Sequence, residues 1–234
     1  MSRSKIYGLN YDPSLKSSLV YILDFAGNQV GQLTLAAAVS DLSFDDDHGT
    51  LWGVVNTGVA GSGYNVAYEF DTGDGHILTQ WSFGTSLTTA MGVHLDAKNG
   101  QVIINVFESG YVRLKKYTRS GSFVSEVKHT TVRHRYLSYS AVTGRYYIVQ
   151  QEGGQQLEEL SPTGTHLQQV NYLPVRGWDL NEAGTEIWVA KDSVLDRRKV
   201  SSLGTSLGTI NLTVTLMTLC FGGSDANSVF SFIS

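Results

Sequence analysis

The stretch Asp71-Thr72-Gly73-Asp74-Gly75 reads as a Gly-centred hairpin turn, and it recurs. Copies stand at Thr118-Arg119-Ser120-Gly121, Ser161-Pro162-Thr163-Gly164 and Ser201-Ser202-Leu203-Gly204, with a further one, Asp24-Phe25-Ala26-Gly27, near the amino end. Their last glycines step by about 40 to 48 residues, the spacing of a four-stranded unit repeated around an axis. A second series lies in phase with the first: Asp45-Asp46-Asp47-His48-Gly49, Asp96-Ala97-Lys98-Asn99-Gly100, Ser140-Ala141-Val142-Thr143-Gly144 and Asn181-Glu182-Ala183-Gly184. Before each stands an alternating segment, as in Leu42 and Phe44 or Val93 and Leu95, and after each a β-branched or aromatic run such as Leu51-Trp52-Gly53-Val54-Val55. Period-2 alternation around glycine turns predicts antiparallel hairpins.

Each unit therefore reads strand a, short turn, strand b, loop, strand c, Gly turn, strand d. That is one blade of a β-propeller. Full units run over residues 40–83, 91–127, 135–172 and 177–212, and the chain ends supply the rest: 19–35 reads as strands c and d, and 216–221 as strand a. The expected fold is all-β, a single five-bladed propeller domain over 1–234, closed by a blade that both ends share. Both 6–10 and 229–233 read as strand b of that blade, so one is extra or the ring holds six blades.

Composition fits this reading. The 234 residues contain three prolines, and no Pro-rich, Ser-rich or charge-run segment divides them. No apolar run reaches the length of a membrane-spanning helix, and Met1-Ser2-Arg3-Ser4-Lys5 lacks the hydrophobic core of a signal peptide, so a cytoplasmic or particle-associated protein is expected. The single Cys220 excludes an intrachain disulfide and reads as a buried thiol. A net charge of -4 argues against nucleic acid as partner. Charged residues make up only 16% while Ser and Thr together number 45, a hydroxyl-rich composition of the kind common in lectins and virion proteins.

The run Gly92-Val93-His94-Leu95-Asp96, its turn and Ile-Val type strand, and Val112-Arg113-Leu114 leading into the Gly turn resemble the β-propeller superfamily. They look most like its diverged NHL and YncE-like blades. The resemblance covers nearly the whole chain and implies the fold, but propellers host many unrelated functions. There is no series of Trp-Asp dipeptides, and Gly-Gly stands only at Gly153-Gly154 and Gly222-Gly223, so neither the WD nor the kelch pattern is present.

Function is expected on the face formed by the d-to-a and b-to-c loops. The b-to-c loop 56–65, which carries Tyr64, is longer and more Gly-rich than its counterparts at Glu108-Ser109-Gly110 and Lys191-Asp192-Ser193, and an inserted loop is a recognition element. The d-to-a loops hold Lys128, His129, Arg133, His134 and Arg135, with Arg176 on the next blade and Tyr136, Tyr172 and Trp178 interleaved. Arg forks beside aromatic faces hold carboxylates, phosphates or sugar rings. The expected binding residues are Arg133, Arg135, Tyr136, Arg176, Trp178 and Tyr64, and the partner is a protein or a glycan. The opposite face reads as acidic through Asp45, Asp46, Asp47, Asp71 and Asp74.

No metal or other cofactor is expected. The Asp45-Asp46-Asp47 run lacks EF-hand spacing, and the six histidines form no H-x-H or H-x-x-x-H pair. A glycoside hydrolase would need carboxylates converging from several inner strands, for which Asp41, Asp179, Glu108 and Glu152 are candidates. Gly92, Tyr136 and Gly177 occupy matching positions, so the blades have diverged too far for five equal lectin sites. The reading is a non-enzymatic binding or assembly module, such as a component of a virion or phage tail. The alternative is a carbohydrate-active five-bladed enzyme or a lectin.

Overall fold

The computed structural model of the chain describes residues 3–10, 17–55, 65–84, 88–129, 134–150, 156–171, 177–181, 183–191, 193–215 and 218–224. The first blade takes β1 (Arg3–Asn10), β2 (Ser18–Leu23) and β3 (Gln29–Leu35) as strands b, c and d. The second is β4 (Asp41–Asp45), β5 (Thr50–Val54), β6 (Val66–Asp71) and β7 (Ile77–Ser82). The third is β8 (Thr89–Asp96), β9 (Gln101–Glu108), β10 (Tyr111–Thr118) and β11 (Phe123–Lys128), with one 3-10 turn at Ala97–Asn99 between its first two strands. The fourth is β12 (His134–Ser140), β13 (Arg145–Gln150), β14 (Gln156–Leu160) and β15 (His166–Asn171). The fifth is β16 (Gly177–Leu180), β17 (Glu186–Lys191), β18 (Val194–Lys199) and β19 (Ser202–Asn211). Finally β20 (Thr218–Ser224) pairs antiparallel with β1 as strand a of the first blade.

The ring is therefore five-bladed. It closes through the shared blade, as the repeat predicts. β1 fills the strand-b slot, pairing Ile6 with Phe221 on one side and with Leu23 on the other. The rival segment 229–233 lies outside the described residues. Inner strands touch in ring order: β20 and β4, β4 and β8, β8 and β12, β12 and β16, β16 and β20. Because each sheet packs both faces against its neighbours, β4 and β5 are buried at every position, whereas outermost strands such as β7 alternate with solvent.

The polar residue that ends strand a or c serves its turn. Asp71 Oδ1 accepts from Gly73 N at 2.7 Å, Asp24 Oδ1 from Ala26 N at 2.8 Å, Thr118 Oγ1 from Ser122 N at 3.0 Å and Ser161 Oγ from Thr165 N at 3.0 Å. In the other series Asp45 Oδ1 accepts from Asp47 N at 3.0 Å and Asn181 Oδ1 from Thr185 N at 2.9 Å. Short side chains with an oxygen can fold back onto loop amides, which is why these types recur there.

Gly75 shows why glycine ends the turn. Its φ is +78°, and a Cβ would stand 2.1 Å from the Thr34 carbonyl oxygen on the outer strand of the preceding blade. The Gly75 carbonyl also accepts from Ala36 N at 3.0 Å. Gly27, Gly121 and Gly164 press in the same way on Asn211, Trp81 and Val127. Each such turn thus latches its blade to the one before.

The fifth blade departs from the expected pattern. Gly204 lies inside β19, and the hairpin turns instead at Val200 and Ser201. Leu203 is 1% exposed and packs with Val200, Trp178 and Val189, so burial of that leucine, worth about 1.5 to 3 kcal/mol, outweighs local turn chemistry. The latch is replaced by a hydrogen bond from Gln168 Nε2 to the Val200 carbonyl at 3.0 Å.

Candidate functional site

Five residues occupy one register position on the inner strands: Ser43, His94, Ser138, Asp179 and Cys220, paired with Trp52, Ile103, Tyr147, Trp188 and Tyr7 on strand b. All are buried. Their side chains reach across to other blades. Ser43 Oγ accepts from Leu95 N at 2.9 Å, and Ser138 Oγ donates to Asp179 Oδ1 at 2.6 Å. His94 Nδ1 lies 3.8 Å from Asp179 Oδ1, a contact between the third and fifth blades, which are not neighbours in the ring. These contacts link the innermost strands between the two mouths of the ring.

The mouth on the a-to-b turn side holds a cavity of about 90 Å³ among blades three, four and five. His94 forms part of its lining, with Lys98, Tyr139, Ser140 and Asn181 as the other polar groups and Val142 and Leu180 as apolar walls. Space of that size accommodates roughly six waters or a small polar group.

The mouth on the d-to-a side is where binding was expected. Arg133, Arg176 and Tyr64 lie outside the described residues. Arg135 belongs to β12, pairing with Val149, and its side chain is outside the described set. Tyr136 and Trp178 are brought together, with ring centroids 5.5 Å apart and planes at 79°. Trp178 is only 2% exposed and packs in the core with Tyr147, Leu180 and Ile187, so its indole props up Tyr136 from below instead of standing on the surface. Period-2 alternation at a strand start does not distinguish an inward indole from an outward one, because inner strands are buried on both sides.

Tyr136 itself is half-buried and has φ +55°, the left-handed region that residues with a Cβ seldom adopt. The register between Arg135 and Ser138 slips there, opening a bulge. Two neighbours hold it: Asn105 Nδ2 donates to the Tyr136 carbonyl at 3.2 Å, and Gly92 lies so close that a Cβ would come within 2.5 Å of Tyr136 C. Strain of this kind, about 1 to 3 kcal/mol, persists where the surroundings over-determine it.

The candidate carboxylates of a hydrolase are engaged within the fold. Asp41 Oδ2 accepts from Val93 N at 2.9 Å across a blade seam, and Asp179 accepts from Ser138 and from Leu180 N. Burial opposes the charge on Glu108, but hydrogen bonds from Lys115 at 2.7 Å and Thr88 at 2.6 Å outweigh it and hold the carboxyl below its usual range. Glu152 lies outside the described residues. On the face expected to be acidic, Asp45 is fully buried against Arg119, a turn residue whose role the sequence reading missed. Asp71, Asp74 and His76 cluster at the surface with ligand atoms within 4.8 Å of one another, where Asp71 is bound to its own turn and His76 Nδ1 lies 2.5 Å from Asp74.

No protein-family model matches the chain, and no curated protein matches it in sequence. Among solved structures, a protein of unknown function from Bacteroides caccae superposes with a TM-score of 0.57 over 89% of this chain and 73% of that one, at 10% identity. That likeness is one of fold. No helix among the described residues is long and apolar enough to cross a membrane.

Proposed function

We propose that this propeller is a non-enzymatic, rigid binding or assembly module that holds a protein or a glycan at the mouth formed by the d-to-a and b-to-c loops. The observation that carries the reading is Tyr136. A bulky residue kept at positive φ on an inner strand, braced by Asn105 and seated on a buried indole, has its ring position set by the fold at a cost in backbone strain. Such strain is tolerated where a side chain must be presented in one orientation. Arg133, Arg135 and Arg176 belong to the same end in sequence order and would supply forks for carboxylate or hydroxyl groups. The non-enzymatic part is supported by Asp41, Asp179 and Glu108, whose oxygens are engaged in bonds within and between blades.

Calorimetry with a panel of neutral, acidic and amino-sugar oligosaccharides, run beside assays for new reducing ends, tests this. Binding without cleavage, weakened at least tenfold in Tyr136→Asn while the melting transition is kept, is the expected result for a glycan partner. Release of reducing sugar would overturn the non-enzymatic reading.

A further inference from the structure

Eight large hydrophobic side chains are exposed among the described residues, and five of them stand at one repeated place: Val30, Leu78, Val124, Leu167 and Leu207, each between 43% and 49% exposed. In sequence, each follows a repeat glycine by three positions, from Gly27, Gly75, Gly121, Gly164 and Gly204. The fifth keeps this spacing although its turn has moved.

In structure, each is the extra residue of a β-bulge on an outermost strand. Leu23 and Ile22 pair with Gln29 and Gly31, skipping Val30; Phe70 and Glu69 pair with Ile77 and Thr79, skipping Leu78. Tyr117 and Lys116 pair with Phe123 and Ser125, skipping Val124. Leu160 and Glu159 pair with His166 and Gln168, skipping Leu167, and Arg198 and Arg197 pair with Ser206 and Gly208, skipping Leu207. All five blades thus interrupt the same ladder at corresponding positions.

Strand d is the open edge of every blade. A propeller removes the inner edges by closing, but its outer strands still present unpaired N–H and C=O groups to any extended chain. A bulge breaks the even spacing of those groups and increases the local twist, so a second strand cannot align along it. We propose that the five bulges are a repeated guard against edge-to-edge pairing of this chain with further copies of itself. The aliphatic residue is the pin. About half of each is withdrawn from solvent, which would fix the extra residue in place, whereas a smaller side chain would let the bulge slide along the strand and leave a regular edge.

The proposal separates from the rival idea that the five side chains are contact points for copies of the chain. Deleting Leu78 and Val124 leaves the pairs Phe70–Ile77, Glu69–Thr79, Tyr117–Phe123 and Lys116–Ser125 in register without bulges. Sedimentation velocity over a concentration series should then show a weight-average mass rising with concentration more steeply than in the parent, with the melting transition retained. A folded deletion variant that associates no more than the parent overturns the guard. If the deletions do not fold, Leu78→Ala with Val124→Ala decides. Loss of the pins should increase association, and unchanged or reduced association would refute the proposal, a reduction marking these side chains as an interface.

Discussion

The guanidinium of Arg119, on the c-to-d turn of the third blade, donates to the carboxylate of Asp45 at the end of the second blade's inner strand. The same group donates to Glu69 and lies 5.6 Å over the Trp52 ring, and its backbone carbonyl accepts from Trp81 Nε1 at 3.0 Å. One turn residue therefore clamps two blades. Arg119→Met should destabilise the fold by about 3 kcal/mol, because the fully buried Asp45 carboxylate would lose its guanidinium partner. Urea unfolding checks this. In a double-mutant cycle with Asp45→Asn the two losses should fall well short of additive.

Gly92→Ala should cost about 3 kcal/mol, since the new methyl would meet backbone atoms of Tyr136 and Leu137 within 2.5 to 2.7 Å and inner strands cannot separate without opening a seam. Gly100→Ala is the control. Its Cβ meets nothing within 4 Å, so only the strain of φ +60° remains, about 1 kcal/mol. Equal losses in thermal melts would show that seam contact is not what limits position 92.

Glu108 links stability to pH. Its carboxyl is held below the ordinary value near 4.5, so the folded state keeps the charged form at pH values where the unfolded chain begins to take up a proton. The stabilisation is complete above about pH 4.5 and lost as pH falls through the lower folded value. In Glu108→Gln the acid limb of a stability-versus-pH curve should be shallower. An unchanged limb would remove Glu108 from the acid response.

Deleting residues 216–234 removes β20, the inner strand of the first blade, and uncovers Ile6, Tyr7 and Leu9, each at most 4% exposed in the intact ring. Cooperative melting should be lost. A chain ending at Ser224 retains the β20–β1 ladder and should still melt sharply. If it does not, strand b of the shared blade draws on the tail.

The blade count and the closure were readable because turn residues and alternation are local signals repeated in phase: the last glycine of each turn in the two series, outside the fifth blade's c-to-d hairpin, has positive φ. Gly204 misled because its role depends on the burial of Leu203, a long-range term. The candidate site was less legible. Trp178 and Arg119 show why: alternation does not say which neighbour a doubly buried strand will meet, nor that a turn cation will reach into the preceding blade. The aromatic ring of Tyr136 is visible in sequence, while its backbone strain and its brace at Asn105 come from inter-blade packing.

The β20–β1 ladder also sets the order of events in folding. Four blades are each built from consecutive hairpins, whose pairings are local in sequence and close fast. The remaining one needs Ile6 to find Phe221, so its nucleus spans almost the entire chain. We expect ring closure to be the late, slow step, which would leave inner strands exposed on either side of a gap until it occurs. If closure limits folding, third-blade contacts are already made when it occurs, so substitutions there should act chiefly on the refolding rate, while those in the first blade, completed only on closure, should act more on unfolding.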